Sequence, residues 1–162
     1  MPSRKKVQNT HIGDRLRELH EALLDIVSAM NRPQRDEVLI KAAGIKLDRA
    51  LFPLLVGIER FGPIGVVELA DRAGRDYTTV SRQVAKLESL GLATRQENAA
   101  DRRVREAIVT PKGKAMTSLV DAARERIGRT IFATWEARDV DELVRLMRKL
   151  ADAMNGIPVN GE

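Results

Sequence analysis

The sequence predicts a mainly α-helical fold with one small β unit set in its middle. Three observations carry that expectation. Aromatic residues make up only 3% of the chain, too few for a sheet-built fold. Apolar residues recur three and four apart along most of its length, the spacing of one helix face. Between Leu92 and Thr110 the pattern changes to two short runs around a polar tip.

Taken in order, residues Met1 to Asn9 are polar and basic and read as a frayed, solvated tail. Thr10 is then a suitable N-cap for a helix reaching Met30, with Ile12, Leu16, Leu19, Leu23, Ile26 or Val27, and Met30 on one face. Asn31-Arg32-Pro33 breaks the pattern, and a shorter helix from Arg35 to Ala43 ends at Gly44. Asp48 can cap the next helix, whose stripe runs from Leu51 to Phe61 and stops at Gly62-Pro63. Pro53 removes a hydrogen bond inside it, so a bend is expected near Arg49 to Pro53.

The stretch from Ile64 to Thr110 decides the reading. A short helix from Val66 to Ala73 meets a glycine turn at Gly74-Arg75, and a second helix runs from Tyr77 to about Leu90, where Gly91 stops it. Ala70 is small where two helices would approach closely, and Gly74 stands where the turn wants a positive φ. Two strands, Leu92 to Glu97 and Arg105 to Thr110, flank an arginine-bearing tip. Helix, turn, helix and wing in that order make a winged helix-turn-helix, a DNA-reading module.

Beyond it, Thr110-Pro111 pairs a hydroxyl N-cap with proline at the first helical position. The stripe from Met116 to Ile131 carries that helix to about Trp135. Asp139 with Glu142 reads as a capping-box variant opening a last helix, ended by Gly156-Ile157-Pro158 and followed by a loose tail. Long amphipathic helices thus flank the winged module on both sides. A module this small cannot hide their apolar faces, so they are expected to pack together and against a second copy. The expected division is residues 10–46 with 111–156 as a helical dimerisation region, and 47–110 as the DNA-binding domain.

Within the second helix of the module, Val80, Val84, Leu87 and Leu90 are expected to face the core. That turns Thr78, Thr79, Ser81, Arg82 and Lys86 outward. With Asp76 capping the helix, its N-terminal end would enter the major groove, where Arg82 suits the paired acceptors of guanine. Short hydroxyls there suit close approach to phosphates and base edges. Arg75 in the turn is a candidate phosphate contact. In the wing, the tip can present an arginine, Arg102 or Arg103, to the narrow minor groove, and Asp101 and Arg105 complete the candidate DNA-binding set there. Asp101 is expected to fix the tip by a charged hydrogen bond to Arg103 or Arg105.

Composition sets the outer limits. Twenty-eight Lys and Arg against 23 Asp and Glu give a net charge of +5, and the pI is about 9.9. That balance favours a polyanionic partner. Acidic residues such as Asp121, Glu125, Asp139, Asp141 and Glu142 argue against a non-specific DNA coater, which would spread positive charge widely. With no cysteine, disulfides, thiolate metal sites and thiol redox sensing are excluded. No nucleophile stands beside a base, no glycine loop could cradle a phosphate, and no residues show metal-ligand spacing, so neither enzyme nor cofactor is expected. No apolar run reaches the roughly 20 residues that span a bilayer, and no signal core is present; the default is a cytoplasmic protein.

The wing and the helix start that follows it, Asp101-x-Arg103 through Val109-Thr110-x-Lys112-Gly113, resemble the signature of the MarR family of bacterial transcription regulators, with Val109 where leucine is usual. Thr79-Val80-Ser81-Arg82, then Leu87-Glu88 and Gly91-Leu92, are similar to that family's recognition helix. The flanking helices match the family layout, so the resemblance spans essentially the whole chain. It implies a homodimer with two winged heads gripping successive turns of a pseudo-palindromic operator on double-stranded DNA. Arg82 and Arg103 are the foremost contacts on that reading. It also implies a repressor released by a small aromatic or phenolic effector held between the dimerisation helices and the reading head. His20, Leu23, Phe52, Val56, Met116 and Trp135 are conceivable there, although each reads first as core or interface. The branch of the family that senses oxidants through cysteine is closed to this chain.

Overall fold

The computed structural model describes residues 4–157, with side chains from residue 12 onward. It divides into two compact units, Met1–Ala122 and Ala123–Glu162. No helix among the described residues is long and apolar enough to cross a membrane.

The first unit opens with α1, Arg4–Met30. This helix starts earlier than the sequence suggests: it runs through Thr10, the expected cap position, and takes in Arg4 to Asn9 from the expected frayed tail. Arg, Lys and Gln are good helix formers, and no glycine or proline interrupts that segment. Its apolar stripe lies open, with Leu16 56% and Met30 61% exposed. Helix α2, Pro33–Ala43, begins with its proline in the first turn, where a missing N–H breaks no bond. Gly44 closes it in the left-handed region at φ 67°.

Helix α3, Phe52–Phe61, starts later than expected. Asp48 organises the turn ahead of it, its carboxylate accepting the Ala50 amide at 2.7 Å. Pro53 thus falls in the first turn of α3, so the bend expected inside the helix has no cause.

Strand β1, Ile64–Gly65, was not expected. It pairs antiparallel with β3, Arg105–Val109, which also pairs with β2, Ala93–Glu97, giving the order β1-β3-β2. The wing is therefore a three-stranded sheet rather than a two-stranded one. Leu54, Leu55 and Ile58 from α3 join Ile64, Leu69, Val80, Val84, Leu87 and Leu92 in one buried cluster. A fully buried side chain of this kind contributes about 1.5–3 kcal/mol. This cluster is what holds helix α4, Val66–Ala73, and helix α5, Tyr77–Ser89, in place.

Helix α6, Pro111–Ile131, ends before the expected Trp135, and the boundary between the units falls within it. In the second unit the Trp135 ring packs edge-on against Phe132, 5.1 Å between centroids. Helix α7, Ala137–Asn155, starts at the Glu136 N-cap without a side-chain capping bond. The expected Asp139–Glu142 box is therefore not the helix start. Asp139 already lies in the first turn, and Glu142 instead holds Arg145 at 2.6 Å. No residue of α7 is buried. The expected tail after Ile157 lies outside the described residues.

Candidate nucleic-acid interface

The expected reading element is α5, and its position follows from the turn before it. Gly74, at φ 63°, lets the chain reverse at the end of α4, and the Arg75 amide closes the turn on the Ala70 carbonyl at 3.1 Å. A residue with a Cβ would be strained there. Ala70 is buried, 4% exposed, as close helix approach requires.

Asp76 caps α5 twice through one residue. Its carboxylate accepts the Thr79 amide at 2.9 Å and the Thr79 hydroxyl at 2.6 Å. The hydroxyl bond is the largest cause holding the Asp76 carboxyl below its ordinary value of 3.8; the amide comes next, and the nearby Arg82 charge adds a smaller pull. With the cap set and Val80, Val84 and Leu87 fully buried, the helix cannot roll. Thr78, Arg82 and Lys86 are exposed, and Thr79 and Ser81 half-buried. Leu90 departs from the expected inward row, being 37% exposed. It follows the last helical residue, where the chain is already turning toward Gly91 at φ 71°.

Arg75 is half-buried rather than free. Its Nη1 donates to the Ala50 carbonyl at 2.6 Å and to Gln83 Oε1 on α5 at 3.0 Å.

The wing is built by two side chains. Asn98 Oδ1 accepts the amides of Ala100 at 2.8 Å and Asp101 at 2.9 Å, and its amide group donates to Glu106. Asp101 accepts the backbone amide of Arg103 at 3.0 Å. Among the described residues no ion pair joins Asp101 to the guanidinium of Arg103 or Arg105. The expected charged hydrogen bond is replaced by an Asx turn, because the amide two residues on is closer than any flexible side chain. Arg102 and Arg103 stand exposed at the tip, and Arg105 is the register partner of Glu97 across the strands. Asn98 was missed by the sequence reading, although an asparagine opening a turn is itself a signal.

The wing and α5 share a mount at the start of α6. The Thr110 hydroxyl donates to the Gly91 carbonyl at 2.6 Å and accepts the Gly113 amide at 3.0 Å. Lys112 Nζ donates to the Leu90 carbonyl at 3.0 Å, at the open end of α5. Gly113 allows the approach: a Cβ there would lie 2.1 Å from the Leu92 carbonyl oxygen. Arg95 on β2 adds an ion pair to Glu88 on α5 at 3.0 Å.

The residues conceivable for an effector are dispersed in character. Phe52 is core, Leu23, Val56 and Met116 are half-buried, and His20 and Trp135 are exposed. None of them lines the polar cleft of about 550 Å³ beside Arg75.

A helix-turn-helix and wing so arranged matches known proteins. The MarR family model matches residues 47–104. An uncharacterized HTH-type transcriptional regulator of Bacillus subtilis, YxaD, is 29% identical over 107 residues, covering 66% of this chain and 75% of its own. In fold the chain is similar to a MarR family protein from Bacillus stearothermophilus, at TM-score 0.68 and 22% identity, covering 88% of this chain and 97% of that one. It is also similar to the transcriptional regulator BldR from Sulfolobus solfataricus, at TM-score 0.65 and 23% identity, covering 86% and 96%. The family match falls on the helix-turn-helix, on β2 and on the tip of the wing described above, so that residues 47–104 are similar to the MarR family in sequence and the chain is similar to its members in fold.

Proposed function

We propose that this chain is a transcriptional regulator of the MarR family, a sequence-specific homodimer that grips a pseudo-palindromic operator, acts as a repressor in the cytoplasm, and is released by a small aromatic or phenolic ligand. Residues 47–110 are the reading domain on this view, and 10–46 with 111–156 pair the two copies. The observation that carries the reading is the clamped orientation of α5. Asp76 fixes its start and three fully buried residues fix its roll, so that Arg82 and Thr78 are presented outward.

Arg82 takes guanine in the major groove, and Thr78 and Ser81 approach phosphates or base edges. Thr79 is a weaker reader than its neighbours, since its hydroxyl hydrogen is held by Asp76. Arg102 and Arg103, with Arg105 behind them, supply the wing's contacts to the minor groove and phosphates. Asp101 shapes the tip. The exposed stripes of α1 and α7 support the homodimer: Leu16, Met30, Val144 and Met154 are each more than half exposed, the kind of apolar surface that a second copy covers.

The mechanism is positional. Two reading helices one turn of DNA apart, ~34–36 Å, match two half-sites. A ligand that favours another spacing tenfold opposes binding by ~1.4 kcal/mol. Selection of sites from random duplexes tests the reading. An inverted repeat with fixed spacing supports it; recovery of no motif would make the chain a charge-driven DNA coater instead.

A further inference from the structure

Arg75 sits at the edge of the reading module, where an arginine would ordinarily be assigned to a phosphate. We propose that it is a positioning residue that sets the angle of α5, and that it makes no contact with DNA. This rests on the reading of α5 as the base-reading helix.

Three observations carry it. First, one nitrogen bridges two elements: Nη1 donates both to the Ala50 carbonyl, just ahead of α3, and to Gln83 Oε1, in the second turn of α5. Secondly, the backbone leaves it little choice of direction. The Arg75 amide is tied to Ala70 and follows a left-handed glycine, so the side chain is sent back toward α3. Gln83 lies next to the buried row of Val80, Val84 and Leu87, away from the outward row that holds Thr78 and Arg82. Thirdly, the cleft beside Arg75 is lined by Asp36, Glu37 and Asp48 as well as by Arg49, so a phosphate brought to Arg75 from that side meets carboxylates.

The strut also reaches beyond the reading head. Arg49, next to Ala50, is held by Glu37 of α2 at 3.0 Å. Glu37, Arg49, Ala50, Arg75 and Gln83 therefore form one chain of contacts from α2 to α5.

The test uses the full chain, its selected operator, and a scrambled duplex, each titrated across a salt series. Lost phosphate contact and lost positioning differ in what they do to the salt slope. Arg75→Met is expected to weaken operator binding about tenfold. The scrambled duplex should change little, and the salt slope should match wild type. Gln83→Leu should do the same, and the double variant should be no worse than either single one, because both remove one strut. A uniform loss on both duplexes with the slope lowered by about one would make Arg75 a phosphate ligand and overturn the proposal. Unchanged operator preference in Arg75→Met would overturn it as well. Should Arg75→Met fail to fold, Gln83→Leu decides: lost preference at constant slope supports the strut, and wild-type preference refutes it. If the wild-type chain selects no motif, the operator reading fails separately, and the salt slope of Arg75→Met on any duplex still judges the assignment.

Discussion

Thr110 holds Gly91. Its hydroxyl donates to the Gly91 carbonyl at 2.6 Å while accepting the Gly113 amide at 3.0 Å. One oxygen therefore starts α6 and anchors the turn between the reading helix and the wing. Thr110→Val keeps the shape and removes both bonds, leaving a carbonyl and an amide without their partner. We expect a loss of about 1–2 kcal/mol in urea unfolding, with Thr110→Ser close to wild type. Equal stability of the valine and serine variants would show that the hydroxyl anchors nothing.

Gly113 is the steric half of the same mount. A Cβ would meet the Leu92 carbonyl oxygen at 2.1 Å and Val109 Cγ2 at 2.7 Å. Both neighbours belong to the sheet or its lead-in and cannot swing away as a flexible side chain would. Gly113→Ala should cost about 3 kcal/mol, read as a lowered denaturation midpoint. A midpoint unchanged from wild type would mean that α6 can slide without strain.

Asp76 makes the stability of the reading helix depend on acid. Its folded carboxyl titrates below 3.8, chiefly because the Thr79 hydroxyl and amide bind the charged form. A depressed value stabilises the fold fully above the ordinary carboxylate range, and the benefit is lost as pH falls through the lower, folded value. Asp76→Asn keeps a capping oxygen but no titration. Its stability should therefore fall less than wild type's between pH 5 and pH 2, followed by thermal melts. Parallel acid limbs in the two proteins would remove Asp76 from the account.

Asn98 should matter to DNA binding although it carries no charge. Its side-chain oxygen holds the amides of Ala100 and Asp101, which present Arg102 and Arg103. Asn98→Ala should lower operator affinity by an amount comparable to Arg103→Ala, with global stability nearly intact. Titration of both variants on the same duplex gives the comparison. Full affinity in Asn98→Ala would show that the tip needs no preset shape.

Arg82 carries base readout on this account. Arg82→Ala should relax preference at one position of each half-site by about 1–3 kcal/mol. Arg102→Ala should instead weaken all sequences and flatten the salt dependence. Specificity profiles of the two variants separate the roles.

Much of this was legible in the sequence because a few residues admit one backbone answer. Gly74 and Gly91 take positive φ where their turns demand it, and Thr110-Pro111 starts a helix where a hydroxyl and a proline both favour one. The row Val80, Val84 and Leu87 gives the orientation of α5. Other features carry no local signal. Strand β1 has two residues, too short for any periodicity, and exists only because β3 offers it an edge. Asp139 and Glu142 fit a capping box by spacing alone, yet residues from Ala137 onward are already helical. Asp101 shows the same limit at short range: a charged residue in a turn suggests a charged partner, but its carboxylate accepts the Arg103 amide. The bonds from Arg75 to Ala50 and Gln83 join residues 25 and 8 positions away, and no local pattern announces them. Which carbonyl or amide lies within reach is settled by the fold.

The central claim is that two reading helices act together on one operator. Sedimentation of the full chain, alone and on a duplex carrying the selected site, measures this most directly. The account predicts a dimer in solution and two chains per duplex. A single chain in solution and a single chain on the duplex would contradict it.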